Sequence, residues 1–266
     1  MLTLTITTIQ SNLIWEDKLA NLKMLEEKIA NIKEKTEVVV LPEMFTTGFS
    51  MKPELFAEDM KGETIKWMKR ISNEHGIVLT GSVIIEEEEK YYNRLIWMLP
   101  NGQFGYYDKR HLFALSEEEK HYSFGNKRLI ASVKGWKINL QICYDLRFPV
   151  WARQAPINKT EGAAPEYDAL IYIANWPECR SHAWKTLLCA RAIENQCYAI
   201  GVNRVGNDGN NIYHSGNSLV IDPLGQELYH MADIEDVSTI TLQKEGLEDI
   251  RTRFPFWKDA DFFHIE

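Results

Sequence analysis

The chain has only four cysteines and fewer basic than acidic residues, and it lacks both long apolar runs and closely spaced histidines. Each shortage removes a class of protein. The four cysteines, at 143, 179, 189 and 197, include no C-x-x-C pair, so zinc-ribbon and thioredoxin-like sites lose their main cue. Their even number invites a disulfide reading. A chain of 266 residues, however, buries roughly three quarters of its unfolded surface and needs no covalent staples. Lys and Arg number 30 against 38 Asp and Glu, a formal net charge of -8. That balance disfavours a general nucleic-acid binder, whose affinity rests on neutralising phosphates. The longest apolar runs, such as Ala169 to Ala174, fall far short of the roughly 20 residues a membrane span needs. The opening Met1 to Ile6 carries no basic segment and no small-residue cleavage site. Seven histidines include no H-x-x-x-H or similar ligand spacing, which disfavours a metal hydrolase. A cytoplasmic protein with reduced thiols is expected.

What is present reads as alternating strands and helices. An apolar content of 45% is far too high for a disordered chain. Leu2, Leu4 and Ile6 alternate with Thr3, Thr5 and Thr7, the period of a strand. Leu19, Leu22, Leu25, Ile29 and Ile32 recur every three or four residues among charges, the period of an amphipathic helix. Val38 to Leu41, Ile138 to Ile142 and Ala169 to Ala174 are unbroken apolar runs, which suit strands covered on both faces. Residues 63 to 75 read as a helix that Gly76 ends, and residues 181 to 195 as another. Hairpins are expected at Pro100-Asn101-Gly102 and at Lys134-Gly135. Asn158 to Pro165 is small, polar and aperiodic, an exposed loop inside one domain spanning 1–266. The expected fold class is α/β, a sheet-centred sandwich with helices outside.

Three polar residues stand just beyond strand ends, where open α/β folds place their sites: Glu43, Lys109 and Cys143. A free thiol is only a few per cent thiolate at neutral pH, so a nucleophilic cysteine needs a base or a positive field. Glu43 can take the proton. Lys109 can stabilise the thiolate and then the oxyanion of a tetrahedral intermediate, together with the backbone N–H of Tyr144. A Cys–His pair using His111 or His121 is the competing arrangement.

Three segments carry a resemblance. Leu41-Pro42-Glu43-Met44-Phe45, Tyr107 to Phe113 (YDKRHLF) and Gln141 to Pro149 (QICYDLRFP) resemble, in order, the catalytic blocks of the nitrilase (carbon–nitrogen hydrolase) superfamily. The likeness continues through Ala174-Asn175-Trp176-Pro177, Ala190 to Asn195 and Asn203 to Gly206, and so spans the chain. It implies a four-layer αββα sandwich and amide hydrolysis through a thioester, with no metal or organic cofactor. By position, Glu43 matches the general base, Lys109 the oxyanion lysine and Cys143 the nucleophile. A second glutamate follows the lysine in the family, and counting back from Tyr122 and Gly125 gives Glu118, with Glu119 as the alternative. The same blocks look most like the ω-amidase branch, whose substrates are 2-oxoglutaramate and 2-oxosuccinamate. A homodimer or higher homo-oligomer is implied as well.

Such a substrate carries a carboxylate at the end remote from its amide, and guanidinium is the best geometric match for it. Arg180 and Arg204 are the candidates; Arg147 and Arg191, in blocks shared across amide types, read as structural ion-pair partners. Phe45 and Trp176 are candidate pocket walls. Cys189 and Cys197 read as small buried hydrophobes, and Cys179 as a residue near the pocket mouth. The competing readings are an N-carbamoyl amidohydrolase or nitrilase on the same fold, and a non-catalytic sensor that has kept the scaffold.

Overall fold

The computed structural model describes residues 2–154 and 164–261. The first half runs β1 (Thr3–Gln10), α1 (Lys18–Ala30), β2 (Val38–Val40), α2 (Pro53–Phe56), α3 (Glu63–His75), β3 (Val78–Glu87), β4 (Lys90–Met98) and β5 (Phe104–Asp108). The second half runs β6 (Leu129–Val133), β7 (Trp136–Ile142), α4 (Pro149–Ala152), β8 (Ala169–Ala174), α5 (Ser181–Asn195), β9 (Tyr198–Asn203) and β10 (Val205–Asn207). It closes with β11 (Tyr213–Ile221), β12 (Glu227–Ala232), β13 (Asp236–Gln243) and α6 (Lys244–Arg253).

These strands form two sheets. One has the order β13-β1-β2-β3-β4-β5; the other runs β10-β11-β9-β8-β7-β6, with β12 beside β11. The strand alternation explains why they stack. In β2, Val38 and Val40 face the other sheet, while Val39 faces the helices. In β8, Ala169, Ile171 and Ile173 point inward and Leu170, Tyr172 and Ala174 outward. Both faces are therefore apolar and both are covered, by the second sheet and by a helical layer. Leu22, Leu25 and Ile29 of α1, with Ile65, Met68 and Ile71 of α3, cover the first sheet. Trp184, Leu188 and Ala192 of α5 cover the second. The result is the four-layer αββα sandwich. Each fully buried aliphatic side chain stabilises it by about 1.5–3 kcal/mol.

Both expected hairpins occur, β4–β5 and β6–β7, and Gly76 ends α3 with φ +64°. Three readings need correction or completion. Leu19 is exposed, because at 100° per residue it lies roughly 60–120° around α1 from the Leu22, Leu25 and Ile29 stripe. Helix α6 was not legible, since it buries only Leu247 and Arg251 and has no apolar period. Of the expected Asn158–Pro165 loop, residues 158–163 lie outside the described residues. Among the described residues, no helix is long and apolar enough to cross a membrane.

Candidate active site

Four strand ends, those of β2, β5, β7 and β8, supply the site. Glu43 follows β2 and is fully buried, and the next residue, Met44, turns the chain with φ +44°. Ser82 of β3 holds that turn: its Oγ accepts the Met44 N–H at 2.8 Å and its carbonyl accepts the Phe45 N–H at 3.1 Å. Lys109 follows β5 and is also fully buried. Its Nζ donates to Glu43 Oε1 at 3.0 Å and to both oxygens of Glu118 at 2.9 Å. Glu118 opens a short 3₁₀ turn and also accepts the Phe113 N–H at 2.6 Å. Its neighbour Glu119 is exposed and points elsewhere, so the alternative of one residue further along is not the one that reaches the lysine.

Cys143 sits at the end of β7 with φ +45°, a left-handed conformation that costs a non-glycine residue roughly 1–2 kcal/mol. A buried carboxylate pins it there. Asp145 accepts from Ile142 N–H at 3.0 Å, Tyr107 Oη at 2.7 Å and His111 N–H at 2.9 Å, and contacts His111 Nδ1 at 2.8 Å. The nucleophile-bearing turn is thereby tied to the segment that carries Lys109.

The electrostatics follow from burial. Burial pushes the Cys143 thiol well above its ordinary pKa; Glu43 adds to this through its charge and as a hydrogen-bond acceptor, and Lys109 opposes it. The resting sulfur is therefore a protonated thiol with a carboxylate beside it. Burial alone would lower the Lys109 pKa, but Glu118 and Glu43 outweigh it and hold the ammonium charged. Glu118 is raised, chiefly by burial.

Lys109 and Cys143 open onto a cavity of about 90 Å³, several times the roughly 10–15 Å³ that one water needs, while Glu43 and Glu118 lie buried behind the lysine. Lys109, Cys143, Tyr144, Trp176 and Arg180 line it, with Phe49, Phe113, Asn175, Arg147 and His214. Trp176 forms part of the wall, and its Nε1 donates to the Arg180 carbonyl at 2.8 Å. The Arg180 guanidinium lies 5.1 Å from the centre of the Phe113 ring. Burial and the nearby Arg204 push His214 down to about 4, so it is neutral at pH 7.

Several expectations are corrected. Phe45 is fully buried against Trp67 in the helix-side core, with ring centroids 5.9 Å apart, and does not line the cavity. Phe49, four residues on, lies there instead, beneath Lys109. Arg204 is fully buried outside the cavity; its Nη2 donates to Asn12 Oδ1, Leu13 O and Asn207 O. Burial pulls its pKa down to about 10, with the Asp208 charge opposing. Arg147 is exposed over the Trp176 ring at 5.0 Å, with no carboxylate partner among the described residues. Arg191 does form the expected ion pair, with Glu194 at 3.0 Å. Neither His111 nor His121, the two histidines considered for a Cys–His pair, lines the cavity.

Sequence reasoning gave no role to Asn93 or Asn175. Asn93 Nδ2 donates to Glu43 Oε1 at 2.8 Å. The Asn175 N–H donates to Glu43 Oε2 at 2.8 Å, and its Nδ2 to the Glu43 carbonyl at 2.6 Å. A signal for Asn93 existed. It stands where the alternation Asn93-Leu95-Trp97 of β4 calls for a third inward apolar residue.

A half-buried cysteine beside a carboxylate, with a buried lysine between two glutamates, is the equipment of a thiol-dependent hydrolase acting on carbonyl carbon. The αββα frame narrows the class to enzymes of carbon–nitrogen bonds. The chain belongs to the carbon-nitrogen hydrolase family, whose model matches residues 5–252. It is 41% identical over 266 residues to the omega-amidase YafV of Escherichia coli K12, covering 98% of each chain. To the 2-oxoglutaramate amidase of Bacillus subtilis it is 33% identical over 259 residues, 96% of each. Among solved structures, a CN-hydrolase superfamily protein of Xanthomonas campestris, with an arsenic adduct in its active site, superposes with a TM-score of 0.96. The two are 42% identical, and the match covers 100% of both.

Proposed function

We propose that the chain is an ω-amidase that hydrolyses the terminal amide of small 2-oxo acid amides, 2-oxoglutaramate and 2-oxosuccinamate. The products are the 2-oxo diacid and ammonia. One observation carries the reading: Lys109 Nζ is fixed by Glu43 and Glu118 on the same cavity that exposes Cys143, with Arg180 on its wall. Glu43 takes the thiol proton as Cys143 Sγ bonds to the amide carbon. Lys109 Nζ and the Tyr144 N–H hold the oxyanion. Collapse breaks the carbon–nitrogen bond, and Glu43 delivers its proton to the departing nitrogen as ammonia. Glu43 then deprotonates a water, which adds to the thioester; the carbon–sulfur bond breaks, and the proton returns to sulfur. Glu118 holds Lys109 in place throughout. A substrate panel tests the branch. Turnover of 2-oxoglutaramate should far exceed that of N-carbamoyl compounds and nitriles, and the reverse order would replace this reading with another branch of the fold.

Arg180 is the carboxylate anchor in this reading, with Arg147 beside it. A protein of net charge -8 captures an anion only through local cations, and these two guanidiniums flank an aromatic-walled cavity. A charge-assisted hydrogen bond contributes about 1.5–3 kcal/mol, so Arg180→Met should lower kcat/KM for 2-oxoglutaramate about 10- to 150-fold, mostly through KM. A simple alkyl carboxamide should be turned over equally well by both enzymes. An equal loss on both substrates would remove Arg180 from the anchor role. The same proposal places the protein in the cytoplasm as a homodimer. Exposed Val150 and Ile193, on the helices beside the nucleophile, are consistent with that contact, and light scattering gives the mass.

A further inference from the structure

Glu43 is asked to accept and return a proton twice per turnover, so its two oxygens matter separately. A carboxylate oxygen has two good acceptor directions. On Oε1 both are taken, by Lys109 Nζ at 3.0 Å and by Asn93 Nδ2 at 2.8 Å. On Oε2 only the Asn175 N–H is close, at 2.8 Å; Asn175 Nδ2 stands off at 3.5 Å. From this asymmetry we infer that Asn93 is a positioning residue for proton transfer: by saturating Oε1 it locks the Glu43 carboxylate so that Oε2 faces the thiol. The inference rests on the reading of Glu43 as the general base.

Three further observations support the assignment. Asn93 is fully buried, at a strand position whose in-register neighbours Leu95 and Trp97 belong to the core between the sheets. Its Oδ1 is buried with no hydrogen-bond partner among the described residues, which costs folding free energy. An apolar side chain would serve packing better, so the donor Nδ2 is what the position keeps. Finally, the Asn93 carbonyl accepts the Lys109 N–H at 3.0 Å, so the residue that orients the base also sets the lysine's strand end. Asn93 does not line the cavity, and its side chain acts on the substrate through Glu43.

The sign of the pH effect follows. The titratable groups whose charges reach Glu43 are Lys109, Glu118, Cys143 and Tyr122. Asn93 is a neutral donor that favours the charged carboxylate over the acid. Removing it makes the charged form of the base less favourable, so the acid limb of kcat/KM moves to higher pH. Asn93→Leu should shift that limb up by about one pH unit. It should also lower the plateau kcat about 10- to 100-fold, with KM for 2-oxoglutaramate unchanged within about twofold. Asn93→Asp is isosteric, yet it sets a second carboxyl group against Oε1 and should shift the limb at least as far.

Full pH profiles of both variants, with near-ultraviolet circular dichroism to confirm packing, decide the matter. A merely structural asparagine would leave the limb in place and make the isosteric aspartate the milder change; that result overturns the proposal. Glu43→Gln separates this failure from that of the underlying reading. If Glu43→Gln is inactive while Asn93→Leu keeps the native limb, Asn93 alone is misassigned. If Glu43→Gln keeps both activity and limb, the base itself is misassigned.

Discussion

Cys143→Ala is expected to abolish turnover, lowering kcat by at least about 10⁴-fold, while leaving the fold intact. The size of the effect follows from the chemistry. Without sulfur no thioester forms, and what remains is an oxyanion site with a carboxylate-activated water, poorly placed for direct attack. The mildness for folding follows from the geometry. Alanine accepts φ +45° at about the same cost as cysteine. The Glu43–Lys109–Glu118 cluster also does not need the thiol to stay paired. Stability should change by no more than about 1 kcal/mol, which denaturant unfolding can follow. The reciprocal measurement uses the native enzyme: mass spectrometry after acid quench with 2-oxoglutaramate should find the acyl mass on Cys143 and on none of the other three cysteines. Cys197 is fully buried, Cys189 half-buried near the Gly225 carbonyl, and Cys179 exposed beside Arg180. Retained turnover in Cys143→Ala, or acyl mass on another cysteine, would overturn the nucleophile assignment.

How much of this was legible depended on whether a residue declares itself locally. Covered strands did, because an unbroken apolar run such as Val38 to Leu41 has few other homes. Glu43, Lys109 and Cys143 did, because a polar residue directly after such a run marks a strand end. Glu118 was separable from Glu119 only by counting within a motif. No local pattern distinguishes two neighbouring glutamates when a 3₁₀ turn decides which one points inward. Phe45 and Phe49 failed for the same reason. The left-handed Met44 and Gly48 each turn the chain just before one of these rings, so the nearer ring goes to the core and the farther one to the cavity. Arg204 misled in the opposite way. A guanidinium after a strand near the site looks like an anion anchor, but tertiary packing draws its Nη2 to Asn12 and two backbone carbonyls. Asn175 shows the limit most plainly: half of its role is played by a backbone N–H, which the identity of the residue does not encode.

The second large effect is expected at Lys109, and it separates two contributions that one substitution would confound. Lys109→Met keeps the length of the side chain and removes the charge. As an oxyanion donor the ammonium accounts for about 10²- to 10³-fold in rate. Its loss also leaves Glu43 and Glu118 facing each other in a buried site, each having been within 3.0 Å of the same nitrogen. Two such carboxylates resist joint ionisation, and Glu118 is already raised by burial and by Glu43. One of them takes up a proton, and the base is lost in the fraction of molecules where it is Glu43. The total loss should therefore exceed 10³-fold, with destabilisation of about 3–5 kcal/mol for breaking a buried pair. Lys109→Met combined with Glu118→Gln removes the repulsion. The double variant should regain much of the stability and return Glu43 to its charged form, yet stay at least about 10²-fold slower than native, because the oxyanion still lacks its cation. Stability by denaturant unfolding and kcat/KM for 2-oxoglutaramate, measured on the same preparations, test both halves. Activity within tenfold of native in the double variant would mean that Lys109 only balances charge, and that the Tyr144 N–H carries the oxyanion without it.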